Sequence, residues 1–427
     1  MIKKKTLKKS VPYILSFLII IGVIFRPIII LTFFLMILYI LIEKDDSCIF
    51  AMLFFCLSFT SAFKLSADSA SLFTYVQLFF VIKLLFTRKY KRNFLVAIVL
   101  YTVYIFIGMG NEYSEAIKQV SFPILIYCCM KPNVLSNTES YLKNFSFGVI
   151  CSSIVGLFRN NIPNLSTFVN QKVSRMEYEV YTDRFSGLVG DPNYYSINLM
   201  LAFILIIFLY MKGKISSITM YVICISIIIF GAMTGSKTFL LMLVIIFIFI
   251  LIELFKHRKY ITAIICTISI TIGVVLVVSG KISIFNIVIE RLNSATSMSE
   301  LTTERTDLWL MYTNNIFAHP LEAFIGNGFG KGYTFNRYPH NTYLDFINIL
   351  GVCGTCIFLY TRRCAVSFYK RSRNLLNYIP LIVILIMYFS ISMLSHYDMV
   401  YHIMLVTLVI FFTEDNLERI NINFKES

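Results

Sequence analysis

The feature that most constrains this chain is a recurring block of about 15–20 apolar residues, each block closed by a short charged or polar break. A bilayer core of about 30 Å takes roughly 20 helical residues, and flanking residues let shorter blocks reach across. Backbone groups in lipid must pair within their own segment, so such blocks form helices. The two-residue alternation of barrel strands is absent. Hydrophobic residues make up 58% of the 427 and charged residues only 14%. A water-soluble domain carries about 25% charge, and one this apolar has too little polar surface to cover itself. The expected fold is an all-α polytopic membrane protein of about 12–14 transmembrane helices, forming a single membrane domain over 1–427.

The candidate spans lie roughly at 11–25, 28–42, 47–63, 70–86, 94–109, 115–130, 144–158, 194–211, 216–233, 238–255, 260–279, 342–360, 378–394 and 398–412. The basic start followed by Val11 to Phe25 resembles a signal peptide. No small-residue cleavage site follows it, only Arg26, Pro27 and another apolar run, so it reads as a retained first helix. The first two spans are short, and fusing them into one kinked span would invert everything downstream. Charge decides against that. With fourteen spans and a cytoplasmic N-terminus, the clusters Lys3–Lys9, Arg88–Arg92, Lys256–Lys259 and Arg362–Arg373 fall inside, and the short outer connections hold few cations. Both termini are then cytoplasmic. The net charge of +15 reports this topology and the anionic inner leaflet. No basic soluble domain exists to hold nucleic acid.

Two outer segments are long: 159–193, and 280–340 with an expected amphipathic helix from about Thr303 to Phe317. Leu308, Trp309, Tyr312 and Ile316 give that helix an apolar face that suits the membrane surface. A Gly-rich turn, Gly326 to Gly332, follows it. The unusual polar residues collect on this side. Arg184-Phe185-Ser186-Gly187 leads to Gly190-Asp191-Pro192-Asn193; Glu304-Arg305-Thr306-Asp307 opens the helix; Arg337-Tyr338-Pro339-His340-Asn341 closes the second loop. Thr234-Gly235-Ser236-Lys237-Thr238 and Ser395-His396-Tyr397-Asp398 are tight outer turns. All share one membrane face and are expected to converge. Arg presents a bidentate fork to phosphate, Lys a point charge, and helix N-termini a partial positive charge. His340 is the candidate general base near neutral pH.

Plainer readings compete with these. Basic residues at a membrane edge commonly only snorkel, which fits Arg159, Lys172, Arg175, Arg291 and Lys331 better than Arg184, Arg305 and Arg337. A His at a helix mouth is often a cap, His319 reads as a helix-end residue, and His402 as a buried hydrogen-bonding one. Several motifs fail. The glycine run lacks Ser or Thr after Lys331 and has Ile325 where a Walker loop needs its first glycine. No outer Asp-x-Asp pair and no His/Cys cluster of ligand spacing occurs, so a metal is not expected. None of the ten cysteines falls in the long outer loops. Cys353 and Cys356 lie within an apolar span and read as packing residues.

On these residues the chain resembles the O-antigen ligase and O-antigen polymerase superfamily of bacterial surface-polysaccharide enzymes. The matching stretches are Arg184 to Asn193, Thr234 to Thr238, Glu304 to Trp309, Pro320 to Gly330, His340 to Leu344, and the Gly351–Gly354 stretch. They cover about 184–360 by motif, their order and spacing being more specific than any one of them. The family usually has Arg where this chain has Lys237, which loses the bidentate fork.

The resemblance implies a membrane-embedded fold like that of C-type glycosyltransferases, and undecaprenyl-diphosphate-linked glycans as substrate. It implies Arg184 and Arg305 on the diphosphate and His340 as base or acceptor-orienting residue. Lys237, Arg337, Asp191 and Asn341 complete the expected substrate site, with His340 and Arg305 as its catalytic pair. No cofactor or metal is implied. Location in a bacterial plasma membrane follows, with the active site extracytoplasmic, a chain-length regulator and a flippase as candidate partners, and capsule, exopolysaccharide or O-antigen as product. By analogy with the two-loop arrangement of polymerases, repeat-unit polymerisation is favoured over ligase-type transfer of a finished glycan. The rival of another class is a lipid-linked-oligosaccharide flippase, disfavoured because midplane charge is scarce and internal repeats are absent. A non-catalytic scaffold is the remaining alternative.

Overall fold

A computed structural model describes residues 2–413 except 67–68, 111, 166–175, 178–179, 182–183, most of 257–303, 330–334, 336, 368, 395 and 397. The expected span 260–279, the middle of the first long loop, the start of the second, Gly330 to Gly332 and the tail after Thr413 therefore lie largely or wholly outside the described residues. Among the described residues the regular structure is helical apart from a short antiparallel pair, β1 (Met176–Glu177) and β2 (Val180–Tyr181).

The first half contains α1 (Ile2–Ile24), α2 (Arg26–Ile42), α3 (Asp46–Cys56), α4 (Leu72–Thr87), α5 (Arg92–Ile107), α6 (Tyr113–Cys129), α7 (Pro132–Leu135) and α8 (Thr138–Leu157). Phe25 breaks the chain between α1 and α2 at φ −119°, and Pro27 opens α2. The two helices then pack on each other, α1 going on to α3 and α2 to α4, so they are separate elements.

The second half contains α9 (Pro192–Met211), α10 (Ser217–Met233), α11 (Lys237–Lys256), α12 (Arg305–Ala318), α13 (Pro320–Ile325), α14 (Thr342–Asp345), α15 (Gly351–Val366), α16 (Ile379–Met387) and α17 (Asp398–Phe411). Each apolar block other than the largely undescribed 260–279 coincides with helix. Among the described residues, Pro192–Met211 and Thr342–Val366 are long and apolar enough to cross a membrane; the other apolar helices run 10–17 residues. That falls short of the expected number of full-length spans. Two helices end early in 3₁₀ turns, Leu57–Phe59 and Tyr388–Ser390, so the expected spans 47–63 and 378–394 overran.

The core forms around α9 and α17, apolar almost all round and buried almost throughout. The peripheral helices behave differently. Their outward faces carry large apolar residues at helical spacing, as at Leu241, Val244, Ile248 and Ile252 on α11, or Ile218, Tyr221, Val222 and Ile225 on α10.

One helix is broken in a way that positions the Gly-rich turn. Between α14 and α15 lies a π-helix, Phe346–Leu350. A π-turn leaves carbonyls off the regular ladder. Asn327 N donates to Asn348 O at 2.8 Å and Gly328 N to Ile349 O at 2.9 Å, while the Tyr104 hydroxyl donates to Leu350 O at 2.6 Å. The Gly-rich turn is thus a docking strap. Gly326 has φ +88°, and a Cβ there would strike the Ile349 carbonyl.

Candidate functional site

Helix starts gather at one end of the bundle. Asp191 caps α9, its carboxylate accepting from Asn193 N at 2.7 Å and Tyr194 N at 3.3 Å, with Pro192 in the first turn. Asn341 caps α14, accepting from Tyr343 N at 2.9 Å and Leu344 N at 3.3 Å. Both residues expected to bind substrate have their side-chain oxygen engaged as a cap. The signal for this was local: Asp-Pro and Asn-Thr directly before apolar blocks.

These helix starts meet a segment inside the expected span 378–394. Residues 390–394 leave their helix and continue as irregular chain, Ile391 being extended. Arg305, at the start of α12, donates from Nη1 to Ser390 O at 2.6 Å. Thr238, in the first turn of α11, donates to the Ser390 hydroxyl at 3.1 Å. The Thr342 hydroxyl donates to Ile391 O at 2.6 Å and accepts from Met393 N at 3.2 Å. Tyr194, in the first turn of α9, donates to Ser392 O at 2.6 Å, and its ring lies 4.2 Å from that of His396. Ser390 to Leu394 is therefore a hub reached from α9, α11, α12 and α14. Alternating Ser and apolar residues at 390–393 were the available signal in the sequence.

Arg184 joins this assembly from the first loop. Its Nε donates to Thr234 O at 2.8 Å and its Nη2 to Asn193 Oδ1 at 3.0 Å, fastening the loop to the α10–α11 turn. Phe185 N reinforces that with a bond to Met233 O at 3.0 Å. Lys237 is partly buried at the head of α11, in the turn where Ser236 Oγ accepts from Ser196 Oγ at 3.3 Å. Arg184, Lys237 and Arg305 thus stand around one mouth with helix N-termini between them.

His340 is half-buried beside Asn341 with φ +48°, and Glu304, beside Arg305, has φ +60°. Left-handed backbone at non-glycine residues costs of order 1 kcal/mol and is concentrated at functional sites. Arg337 stands apart. Its side chain is 73% exposed and only 3.9 Å from an equally exposed Glu304 carboxylate. What the Arg337 residue supplies inward is its carbonyl, which accepts from the Tyr312 hydroxyl at 2.6 Å.

Asp345 was missed from the sequence. One turn below Asn341, it is 1% exposed, with the Ser392 hydroxyl beside its carboxyl. It lies within electrostatic reach of Tyr194, as do Asp191 and Arg305. Asn198, His402 and Tyr388 form a buried polar set beneath, His402 Nε2 being 2.6 Å from Asn198 Oδ1 and Nδ1 3.2 Å from the Tyr388 hydroxyl. His402 is thus the buried hydrogen-bonding residue expected. His396 stays neutral: burial pushes its imidazole down to about 4, Lys118 adding to the depression and Asp191 opposing it.

Among the described residues no cluster of His, Cys, Asp or Glu could hold a metal ion. Cys356 is exposed on α15, so it is not the packing residue expected of it. Chemically, the mouth offers cations and helix N-termini for an oxyanion, hydroxyls for a polyol, and an imidazole at its edge. No protein-family model, curated protein or solved structure matches this chain.

Proposed function

We propose that this chain is a polytopic membrane protein that joins lipid-diphosphate-linked oligosaccharide units at the outer face of a bacterial plasma membrane. The membrane part is supported by the apolar outward faces of the peripheral helices. Exposed apolar residues at helical spacing on several helices would form surface patches far larger than a soluble monomer carries.

The catalytic part is carried by one observation: Arg305 bonds Ser390 in the segment that the starts of α9, α11 and α14 also reach, with Arg184 bonded to the adjoining α10–α11 turn and Lys237 at the head of α11. That arrangement suits a diphosphate leaving group. In the proposed reaction the acceptor sugar hydroxyl gives its proton to His340, and its oxygen bonds to the anomeric carbon of the donor. The anomeric C–O bond breaks, and its electron pair leaves on the lipid diphosphate, held by Arg184 and Arg305. The resemblance to O-antigen polymerases and ligases supports the same reaction class, with undecaprenyl diphosphate as the carrier.

The test is His340→Ala and Arg305→Ala in the native cell, each checked for membrane expression, with surface glycan and lipid-linked intermediates resolved on a gel. Loss of long chains with single lipid-linked units remaining is the expected result. Long lipid-linked chains that never reach an acceptor would make the enzyme a ligase. Normal polymer from both variants would sink the catalytic reading and favour a scaffold or a transporter.

A further inference from the structure

We propose that the outward face of α12 and α13 is seated in the outer leaflet of the phospholipid bilayer and holds the large outer loop at the membrane surface. The proposal rests on the membrane part of the reading above and not on its chemistry.

Helix α12 is apolar on two sides. The face marked by Trp309 and Tyr312 turns into the protein. Tyr312 is fully buried, its ring edge-on to Phe335 at 5.0 Å, and Trp309 Nε1 donates to Pro339 O at 2.9 Å. Trp309 is half-buried, so that face turns mainly to the protein. The second face carries Leu310, Met311 and Phe317, and α13 extends it with Leu321, Phe324 and Ile325. Phe317 is 78% and Leu321 69% exposed. Asp307, Asn314 and Glu322 are exposed among them, so the surface is mixed, as on a helix lying at an interface rather than crossing it.

Placement identifies lipid as the occupant. Helix α13 packs along α15, and Tyr104 of α5 bonds the Ile325 carbonyl. The ends of α5 and α15 beside it carry Ile107, 82% exposed, and Val352, 46% exposed. The exposed residues of α13 thus continue the apolar outward sides of two bundle helices. The exposed charges on α12 and α13 themselves, Asp307 and Glu322, are acidic, so seating draws on apolar burial and not on anionic headgroups. It should not depend on salt or on lipid charge.

The single tryptophan provides the measurement. The full chain is reconstituted into phosphatidylcholine vesicles, with or without bromine on the acyl chains, as wild type, Phe317→Trp and Phe324→Trp. Trp309 is half-buried with its indole N–H bonded to Pro339 O, so wild-type emission sets the baseline and should change less with bromine than that of either variant. Each variant should gain blue-shifted emission that brominated lipid removes, equally when phosphatidylglycerol is added. Trp309→Phe combined with each variant isolates the new signal; if that background misfolds, the single variants still give it by difference. Water-like emission unaffected by bromine overturns the proposal. Blue-shifted emission unaffected by bromine also overturns it, since protein rather than lipid then covers the face. Release of the native chain from membranes by alkaline carbonate would overturn the membrane reading itself. Retention with unquenched variants defeats only this proposal.

Discussion

The Arg305 guanidinium donates to the Ser390 carbonyl at 2.6 Å, joining the first residue of α12 to the last residue of a broken helix 85 positions later. The bond fixes a cation of the large outer loop at the mouth where α11 and α14 also begin. A guanidinium spending one donor on a backbone carbonyl is oriented, and its remaining N–H groups have a defined direction.

Arg305→Ala should lower glycan transfer by about 10²–10³-fold, the usual cost of removing one donor from a developing oxyanion. Arg305→Lys keeps the charge without the fork and should recover only part of it. Transfer assayed in vesicles from lipid-linked donor checks both. Equal activity of Arg305→Ala and wild type would remove Arg305 from the diphosphate site.

Thr342→Val keeps the shape of the side chain but strips the hub of its hydroxyl, leaving Ile391 O and Met393 N without that partner. The expected loss of stability is about 1–3 kcal/mol, read from thermal unfolding in detergent. Thr342→Ser should keep most of it.

Gly326→Ala should separate the strap from the π-helix. The residue sits at φ +88°, and the added Cβ meets the Ile349 carbonyl. A cost above about 1 kcal/mol is expected, with faster proteolysis of the outer loop. Gly213→Ala is the control: it also has positive φ, but open space surrounds it.

Stability should fall as pH drops through the window between the ordinary histidine value, about 6.5, and the value of about 4 held by His396. Across that window the unfolded chain binds a proton that the folded chain refuses, so stability rises with pH and is complete above the window. The size is on the order of 2 kcal/mol once the partly exposed ring edge is allowed for. His396→Phe keeps a ring against Tyr194 and should flatten this part of the pH profile.

Asp345→Asn should fold at least as stably as wild type, because a buried carboxyl is replaced by a neutral group of the same shape beside the Ser392 hydroxyl. If Asp345 takes part in transfer, activity falls while unfolding temperature does not. Unchanged activity would make it a packing residue.

Local chemistry was legible in the sequence. Asp191 and Asn341, expected to bind substrate, carried a local cap signal as well, since a cap acts within three residues. Val11 to Phe25 and its neighbours announced helices because apolar length is a local property. Arg184 and Arg305 bond to backbone near the head of α11, where Lys237 lies, whereas the side chain of Arg337 faces outward. The apolar stretch 378–394 read as one span, because nothing local says that it must end at Ser390.

By itself, then, the sequence determined where the apolar helices lie and which residues carry charge at the loop ends, since each depends on neighbours a few residues away. Only the tertiary structure decided that Thr238, Arg305 and Thr342 meet on residues 390–393, that Asp345 is buried beneath them, and which of the two apolar faces of α12 turns inward. Those outcomes depend on contacts between residues scores of positions apart, and an apolar pattern cannot say which of two similar surfaces finds a protein partner.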